Sequence, residues 1–474
     1  MKKMSRRGFA QALAGLSASS LPAAAEAPKS LQSAHGSTTF AAGLKVAAFS
    51  CDITPPIGSP LEECHPPIAT SVESPLLAKG IILSDGRTRY CLCAFDYCEI
   101  HTGAHDLFRR GIANALGVNE LQVEVHCIHQ HDAPIYDSDA EMLLDLMPSP
   151  PHITDLDFLK SAAQRVSSAV REALDRLEPC THVGCGKAKV EKVASNRRVP
   201  MPNGSIGVRY SSCTDPVLIA APEGLIDPWL RTITIFDRQR PLARLHYYAS
   251  HPISHYGQGH MTPDFPGLAR EQLEKEEGVP QIYFTGCGGN IGAGKYNDGS
   301  TEARVQLTER MYQGMKRAIA ATRKELCSDI SWKTDEVQFA LRTEPDFSES
   351  RLREVLRDPN QPYGERTKAV LALAWYNRVK VRPTVDVSFY RLGPARILHL
   401  PGECFVEYQL YAQSLRPDDF IAVAAYGELG PVYICTDKAI TESGYEPTDS
   451  FVGPPSERLL KDAIARLLAD QRRG

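Results

Sequence analysis

Short strand-like segments alternate with longer helix-like segments along this chain from Leu44 to its end. Lys45–Ser50 and Arg231–Phe236 carry apolar and β-branched residues in the pattern typical of strands. Asp157–Leu177 and Ser456–Gln471 place apolar residues at helical spacing. Because this alternation continues without internal repeats or a low-complexity linker, it predicts an α/β fold, a single large domain with a mixed β-sheet core flanked by helices.

Proline and glycine set several expected helix boundaries. Pro266 fits the first turn of a short helix that Gly278 ends, and Thr301–Leu326 is expected to be one longer helix. A further helical pattern is interrupted at Pro359 and Pro362.

The first 27 residues have the features of a bacterial export signal. Arg6 and Arg7 form a twin arginine, a moderately apolar segment follows, and small residues occupy Ala23–Ala27. The apolar run is too short and too rich in glycine and serine to span a bilayer, and no later segment is apolar enough. The alternative is a frayed terminus with a chance arginine pair. The interpretation predicts a twin-arginine signal over 1–27, a flexible leader over 28–43, a folded domain over 44–474, and a periplasmic or extracellular location.

Composition excludes few classes of protein. The 474 residues are 43% hydrophobic and 23% charged, with a net charge of −4 and no long basic run, which argues against a nucleic-acid partner. The 13 cysteines are an odd number, and most lie in apolar segments, so buried free thiols are expected for most of them.

Six of the 14 histidines fall in two short loops that follow strand-like segments. The first loop, VHCIHQHDAP at 125–134, contains His129 and His131, which an extended chain would place side by side on one face. The second loop contains His251, followed by His255, His260 and Asp264. Imidazole is a strong zinc donor, so a metal site is one interpretation, and hydrogen-bonded structural histidines are the other. The spacing of the acidic residues does not identify which carboxylate would complete the site.

Five motifs in order resemble the catalytic domain of the neutral/alkaline (non-lysosomal) ceramidases. They are HQHDAP at 129–134, SNRR at 195–198, a strand pair ending in HP at 251–252, GCGGNIGAG at 286–294 and PGE at 401–403; a tyrosine-containing segment, GYEPTDSFVGP at 444–454, completes the likeness. The resemblance covers most of the chain and implies the fold of that domain. It also implies a zinc ion held by His129, His251, Glu403 and Tyr445, with His131 and Arg197 close by.

In the same alignment this chain has a glycine where the family has its nucleophilic serine. Asn290 stands at the family's aspartate and Gly292 at its serine, so this position offers no side-chain oxygen. Around Gly289 the glycine-rich segment is expected either to form an anion-binding nest of backbone N–H groups or to be a tight turn that needs glycine for packing.

These residues favour an exported zinc-dependent hydrolase of an amide or ester bond that uses metal-activated water. In this hypothesis Arg197 and the glycine-rich segment stabilise the tetrahedral anion, and His131 or Asp264 transfers the proton. The alternatives are a metal enzyme of another class, such as a lyase or a sugar-directed enzyme, and a non-catalytic zinc-containing binding protein. Nitrogen and oxygen ligands also suit iron or manganese. The substrate is expected to be a small molecule, a glycan or a lipid, and the sequence leaves the oligomeric state open.

Overall fold

The computed structural model describes residues 43–62, 68–147 and 150–469. The export signal predicted for 1–27, and the leader predicted for 28–43 except its last residue, lie outside the described residues. The described residues belong to one compact unit. Its mixed sheets flanked by helices confirm the predicted fold class. Within the described ranges no helix is long and apolar enough to cross a membrane.

Three sheets form the framework, and each combines antiparallel strands with one parallel pair. In spatial order the N-terminal sheet consists of Val123–Cys127, Arg89–Phe95, Leu77–Ser84, Lys45–Asp52 and Glu178–Pro179. The central sheet consists of Gln281–Thr285, Arg240–Tyr248, Trp229–Asp237, His182–Lys189 and Arg323–Leu326. The C-terminal sheet consists of Ile330–Val337, Val385–Leu392, Ala395–His399 and Phe420–Ala424.

The parallel pairs direct the chain toward one region. His129 follows Val123–Cys127 of the N-terminal sheet, and His251 follows Arg240–Tyr248 of the central sheet. Glu403 follows the C-terminal sheet's strand that ends at His399. Each of the three sheets thus delivers one side chain to the same region. Loops beyond the carboxyl ends of such strands commonly build binding sites.

Short strand pairs and helices complete the fold. The short pairs are Ser71–Val72 with His260–Met261, Glu99–Ile100 with Ile135–Tyr136, Ser195–Asn196 with Ile291–Gly292, Arg198–Pro200 with Ile206–Val208, Ala340–Leu341 with Val452–Gly453, and Glu403–Cys404 with Tyr433–Ile434. The α-helices in the described residues are Thr102–Leu116, Ser138–Leu144, Leu156–Ala173, Pro216–Ala220, Asp264–Glu277, Thr301–Ala320, Glu349–Arg357, Tyr363–Val381, Val406–Leu415, Asp437–Glu442 and Ser456–Leu468.

Two inner strands of the N-terminal sheet, Leu77–Ser84 and Arg89–Phe95, are largely buried on both faces. Along Arg89–Phe95, Cys91 and Cys93 pack into one hydrophobic core, while Leu92 and Ala94 pack into a second core shared with the central sheet. Successive side chains of a strand point to opposite faces, so the apolar run of this one strand supplies both cores.

A buried ion pair fixes the helix that follows the second histidine loop. Arg270 on Asp264–Glu277 donates two hydrogen bonds of 2.8 Å to the Asp96 carboxylate, and both side chains are fully buried. This bidentate geometry ties the helix to the end of an N-terminal-sheet strand.

Most expected helix boundaries are confirmed. Gly278 has a φ of +64° and ends the helix that contains Pro266. The interrupted pattern resolves into two helices on either side of the two prolines, Glu349–Arg357 and Tyr363–Val381.

The single helix expected over Thr301–Leu326 is wrong at its C-terminal end. The helix stops at Ala320, and Arg323–Leu326 is an edge strand paired with His182–Lys189. The helix end packs closely on Gly186 of that strand, where a Cβ would lie 2.0 Å from the carbonyl oxygen of Ala318. Pairing with the sheet therefore overrides the local helical pattern.

Candidate metal centre

His129 lies just beyond its strand in a conformation that the sequence did not predict. Its φ is +73°, so the expected extended arrangement of His129 and His131 on one strand face is wrong. The two rings are still neighbours, with centroids 5.4 Å apart and planes nearly perpendicular. Nδ1 of His129 lies 2.9 Å from the carbonyl oxygen of Cys98. Because a carbonyl only accepts, Nδ1 carries the proton and Nε2 presents a lone pair.

His251 is oriented in the same way by the glycine loop, residues 286–294. Its Nδ1 lies 2.7 Å from the carbonyl oxygen of Gly288 and 2.9 Å from that of Ile291. Burial, followed by the charge of Arg197, lowers the pKa of His251 to about 4, which keeps the imidazole neutral at neutral pH. Nε2 of His251 is therefore also a lone-pair donor.

Glu403 completes a cluster with these two imidazoles, hereafter the three-ligand cluster. Its Oε2 lies 2.9 Å from Nε2 of His251 and 3.2 Å from Nε2 of His129. Burial opposes ionisation of the carboxyl, but protons on the two facing histidines outweigh it and hold the pKa of Glu403 below its usual range. Two backbone hydrogen bonds, to Val432 and Glu428, fix the chain at 402–403.

The donor set of the three-ligand cluster fits a divalent metal ion. Nε2 of His129 and Oε2 of Glu403 are buried and make no hydrogen bond of good geometry to any described residue. The three facing atoms all lie within 4.8 Å of one another. A carboxylate oxygen facing two imidazole lone pairs is repulsive unless a cation or proton lies between them. Two imidazoles and a carboxylate are a common zinc ligand set.

Arg197 adjoins the cluster as a buried cation. Its Nη1 lies 3.1 Å from Nε2 of His251 and donates to the hydroxyl of Tyr433 over 3.2 Å. Its Nε lies 3.9 Å from Oε1 of Glu446. A metal bound at Nε2 of His251 would take the place of the first contact and leave Arg197 its contact with Tyr433.

Tyr445 lies in the wall of the adjoining cavity. Its ring is 5.1 Å from the guanidinium carbon of Arg197 and 5.9 Å from the ring of Tyr433. The cavity has a volume of about 400 Å³ and is lined by His131, Arg197, Tyr210, Ser212, His251, Ile253, Tyr256, Tyr433 and Tyr445. The structure therefore brings Tyr445 and His131 to the same cavity as His251 and Arg197.

Asp264 has a different environment. Its carboxylate accepts hydrogen bonds from the backbone N–H of Ser254 over 2.8 Å and from the Ser254 hydroxyl over 2.6 Å. It is not among the residues that line the cavity. These contacts fix the second histidine loop to the start of the helix Asp264–Glu277.

The glycine loop touches the site mainly through its carbonyl groups. The N–H groups of Gly289 and Ile291 already donate to the carbonyls of Cys404 and Gly288. The Asn290 side chain accepts from the Val406 N–H and donates to Glu407. Gly292 pairs with Ser195 in a short antiparallel strand, and a Cβ there would lie 3.0 Å from the Ser211 hydroxyl oxygen.

Two tyrosines near the cluster were missed by sequence reasoning. The ring of Tyr426 stacks on that of His129 with centroids 4.6 Å apart, and the Tyr433 hydroxyl accepts a hydrogen bond from Arg197. Tyr426 follows the short apolar strand Phe420–Ala424, and its position after a strand end was the available signal. Tyr433 reaches the site by pairing in parallel with Glu403, which no local pattern indicates.

Comparison with known proteins finds its likenesses among solved structures. No protein-family model and no curated protein sequence matches the chain. The neutral ceramidase from Pseudomonas aeruginosa aligns over 90% of this chain and 76% of its own, with a TM-score of 0.66 and 14% identity. A ceramidase complexed with C2 aligns over 90% of this chain and 74% of its own, with a TM-score of 0.64 and 13% identity. The described chain therefore has a fold like that of these ceramidases, as the order of its motifs predicted.

Proposed function

We propose that this protein is a metal-dependent hydrolase that cleaves an amide or ester bond. The observation that supports it most is the convergence of Nε2 of His129, Nε2 of His251 and Oε2 of Glu403 beside an open cavity. Zinc is the proposed ion, with iron or manganese as alternatives. The twin-arginine motif supports export, so we propose action in the periplasm or outside the cell.

The three-ligand cluster would hold the ion, and we propose Tyr445 as its fourth protein ligand. When bound, such an ion lowers the pKa of a bound water toward neutrality and so supplies a nucleophile. This chemistry needs no serine, which accords with glycine at position 292.

Arg197 is the proposed partner of the substrate carbonyl oxygen. Its guanidinium is buried beside His251 and keeps a hydrogen bond to Tyr433, so it is held in place before substrate binds. A fixed donor of this kind stabilises the developing negative charge by about 3–4 kcal/mol. The glycine loop would contribute by orienting His251 through the carbonyls of Gly288 and Ile291.

His131 is the proposed proton-transfer residue. It lines the cavity, and its ring lies 5.4 Å from that of His129 and 5.7 Å from that of Tyr256. Asp264 is less suited to the role because its carboxylate is occupied by Ser254.

The walls of the cavity favour a compact polar substrate. Four tyrosines, Arg197 and His131 contribute to the lining, while Ile253 is the one aliphatic side chain among the described residues that line it. A volume of about 400 Å³ suits a small molecule or a sugar unit better than a long acyl chain. The same observation favours the second candidate function, a metal enzyme of another class acting on a polar substrate.

Metal content and turnover test the proposal together. The purified protein is assayed on N-acyl and ester substrates, with its metal measured by elemental analysis before and after a chelator. We expect chelation to abolish hydrolysis and added metal to restore it. His251→Ala should lose both metal and activity, whereas His260→Ala, at an exposed position outside the cavity, should keep both.

The outcomes separate the alternatives. Full hydrolysis by a metal-free protein contradicts the proposal. A folded, metal-loaded protein that binds polar ligands without turnover favours a binding protein. Turnover that yields an unsaturated product without uptake of water favours a lyase.

A further inference from the structure

A buried carboxylate lies between two successive arginines beside the cavity. Glu446 is fully buried and begins the short 3₁₀ turn that follows Tyr445. Its Oε2 accepts a hydrogen bond of 3.0 Å from Nη1 of Arg198. Its Oε1 lies 3.9 Å from Nε of Arg197. Glu446 is not among the described residues that line the cavity, so any effect that it has on a substrate passes through a neighbour.

The side of Glu446 that faces Arg197 has no hydrogen bond. Nε of Arg197 and Oε1 of Glu446 are both buried, and neither makes a hydrogen bond of good geometry to any described residue. Buried polar atoms in folded proteins are nearly always paired, and buried charges most of all. An approach of about 1 Å would bring this donor and this acceptor to hydrogen-bonding distance. Each atom is therefore the partner that the other lacks.

Arg198 depends less on Glu446 than Arg197 does. Nη2 of Arg198 donates to the carbonyl oxygen of Ser443 over 2.6 Å and lies 3.5 Å from Oε2 of Glu442. Glu446, in contrast, is the one carboxylate of the described residues within ion-pair distance of Arg197. The carboxylate that the two arginines share is thus the counter-charge on which Arg197 depends.

Arg197 needs a counter-charge because of where its other end lies. Its Nη1 is 3.1 Å from Nε2 of His251 and donates to the hydroxyl of Tyr433. A cation held at Nε2 of His251 would repel the guanidinium at this short range, and burial removes the water that would screen the repulsion. Because Glu446 faces Nε, it opposes that repulsion and leaves the terminal nitrogens of Arg197 to Tyr433 and the substrate.

We propose that Glu446 is a positioning residue, which holds the guanidinium of Arg197 against Tyr433 at the cavity. The assignment rests on the proposed function, in which Arg197 binds the substrate carbonyl oxygen. The competing explanation is that Glu446 only fixes the segment of Tyr445, through its bond to Arg198. The two explanations differ in which arginine transmits the effect of Glu446.

A cycle of variants identifies that arginine. Glu446→Gln keeps the shape of the side chain and an acceptor for Arg198, but it removes the negative charge. We expect kcat/KM for an N-acyl or ester substrate to fall about 10- to 100-fold, both in the wild-type background and in Arg198→Met. In Arg197→Met the same change should cause no further loss, because the group that Glu446 positions is already absent. Glu446→Asp keeps the charge and should recover part of the rate.

The metal content of the same preparations separates the two explanations further. Elemental analysis should find as much metal in Glu446→Gln as in the wild type. A loss of rate that persists in Arg197→Met but disappears in Arg198→Met would overturn the proposal, as would a fall in metal content that accounts for the lost rate.

Crystal structures of zinc-soaked wild type and Glu446→Gln give a readout that needs no turnover. We expect Nε of Arg197 within about 3 Å of Oε1 of Glu446 in the wild type, and Nη1 displaced from Tyr433 in the variant. Wild-type crystals in which Nε and Oε1 are too far apart to bond would overturn the proposal even if the variant does not fold. A variant whose Arg197 stays on Tyr433 would overturn it too. A protein that hydrolyses no substrate would contradict the proposed function, and these crystals would still decide whether Glu446 holds Arg197.

Discussion

Each imidazole of the three-ligand cluster is oriented through the nitrogen that faces away from it. Cys98 fixes His129, and Gly288 with Ile291 fixes His251, in each case through a backbone carbonyl. Backbone carbonyls do not titrate, so each keeps the proton on Nδ1 and leaves Nε2 facing the cluster. The orientation of both rings is thus set by the backbone, and the proposed mechanism assigns the neighbouring cation Arg197 to the substrate.

Arg197 should matter for the rate and little for metal content. Arg197→Met keeps most of the side-chain length but removes every donor, so we expect kcat/KM to fall about 100- to 1,000-fold. Steady-state kinetics and elemental analysis on the same preparation measure both effects. Arg244→Met is the control, because Arg244 is also buried and pairs with Glu277, away from the cavity. An unchanged rate in Arg197→Met would refute the assigned role.

Among the secondary-structure elements, the strand ends and the glycine loop position the side chains of the site. Gly289 passes so close to the neighbouring chain that a Cβ would lie 2.2 Å from the carbonyl oxygen of Glu403. Glycine is needed here for close approach, and a side chain must displace the residue that supplies the carboxylate.

Gly289→Ala should weaken metal binding through this displacement. We expect a stability loss of about 1–3 kcal/mol and at least a tenfold lower metal affinity. Gly292→Ala is the matched control, since its Cβ would meet the Ser211 hydroxyl at 3.0 Å and needs only a small shift. Competition with a metal-sensitive dye and urea unfolding measure the two quantities. Equal effects in the two variants would contradict the argument.

Local patterns predicted the elements better than the contacts between them. The strands, the helix stop at Gly278 and the interrupted helix follow from side-chain periodicity and from glycine and proline. The left-handed backbone of His129 has no local signal, because it depends on hydrogen bonding to the strand end at Tyr97. The parallel pairing that brings Tyr433 to Arg197 joins residues 30 positions apart, at Glu403 and Tyr433, and periodicity carries no information about it.

For the whole molecule, the three sheets share cores and each supplies one group to the three-ligand cluster. The motif order predicted the fold, and the likeness to a solved ceramidase extends over 90% of the chain. It did not predict that His126 and His399 meet within hydrogen-bonding distance, where the N-terminal and C-terminal sheets adjoin. A metal ion that binds only the folded chain would raise its free energy of unfolding, which couples metal binding to stability.

Buried histidines also make the stability of the whole molecule depend on pH. His246 lies in the central sheet, fully buried, with Nδ1 2.9 Å from the Thr232 hydroxyl and Nε2 2.7 Å from the Gln281 side-chain oxygen. Burial lowers its pKa to about 4. The unfolded chain has a pKa of about 6.5 at this residue, so it binds a proton first as the pH falls.

The contribution of His246 is complete above pH 6.5 and is lost as the pH falls toward 4. Two and a half pKa units correspond to about 3 kcal/mol of unfolding free energy. His246→Gln should be less stable than the wild type at pH 7.5, and the difference should shrink by about that amount by pH 4. Urea unfolding of both proteins across this range measures the difference, in which the shared titration of the metal ligands cancels. A gap that stays constant with pH would show that His246 is not held neutral by the fold.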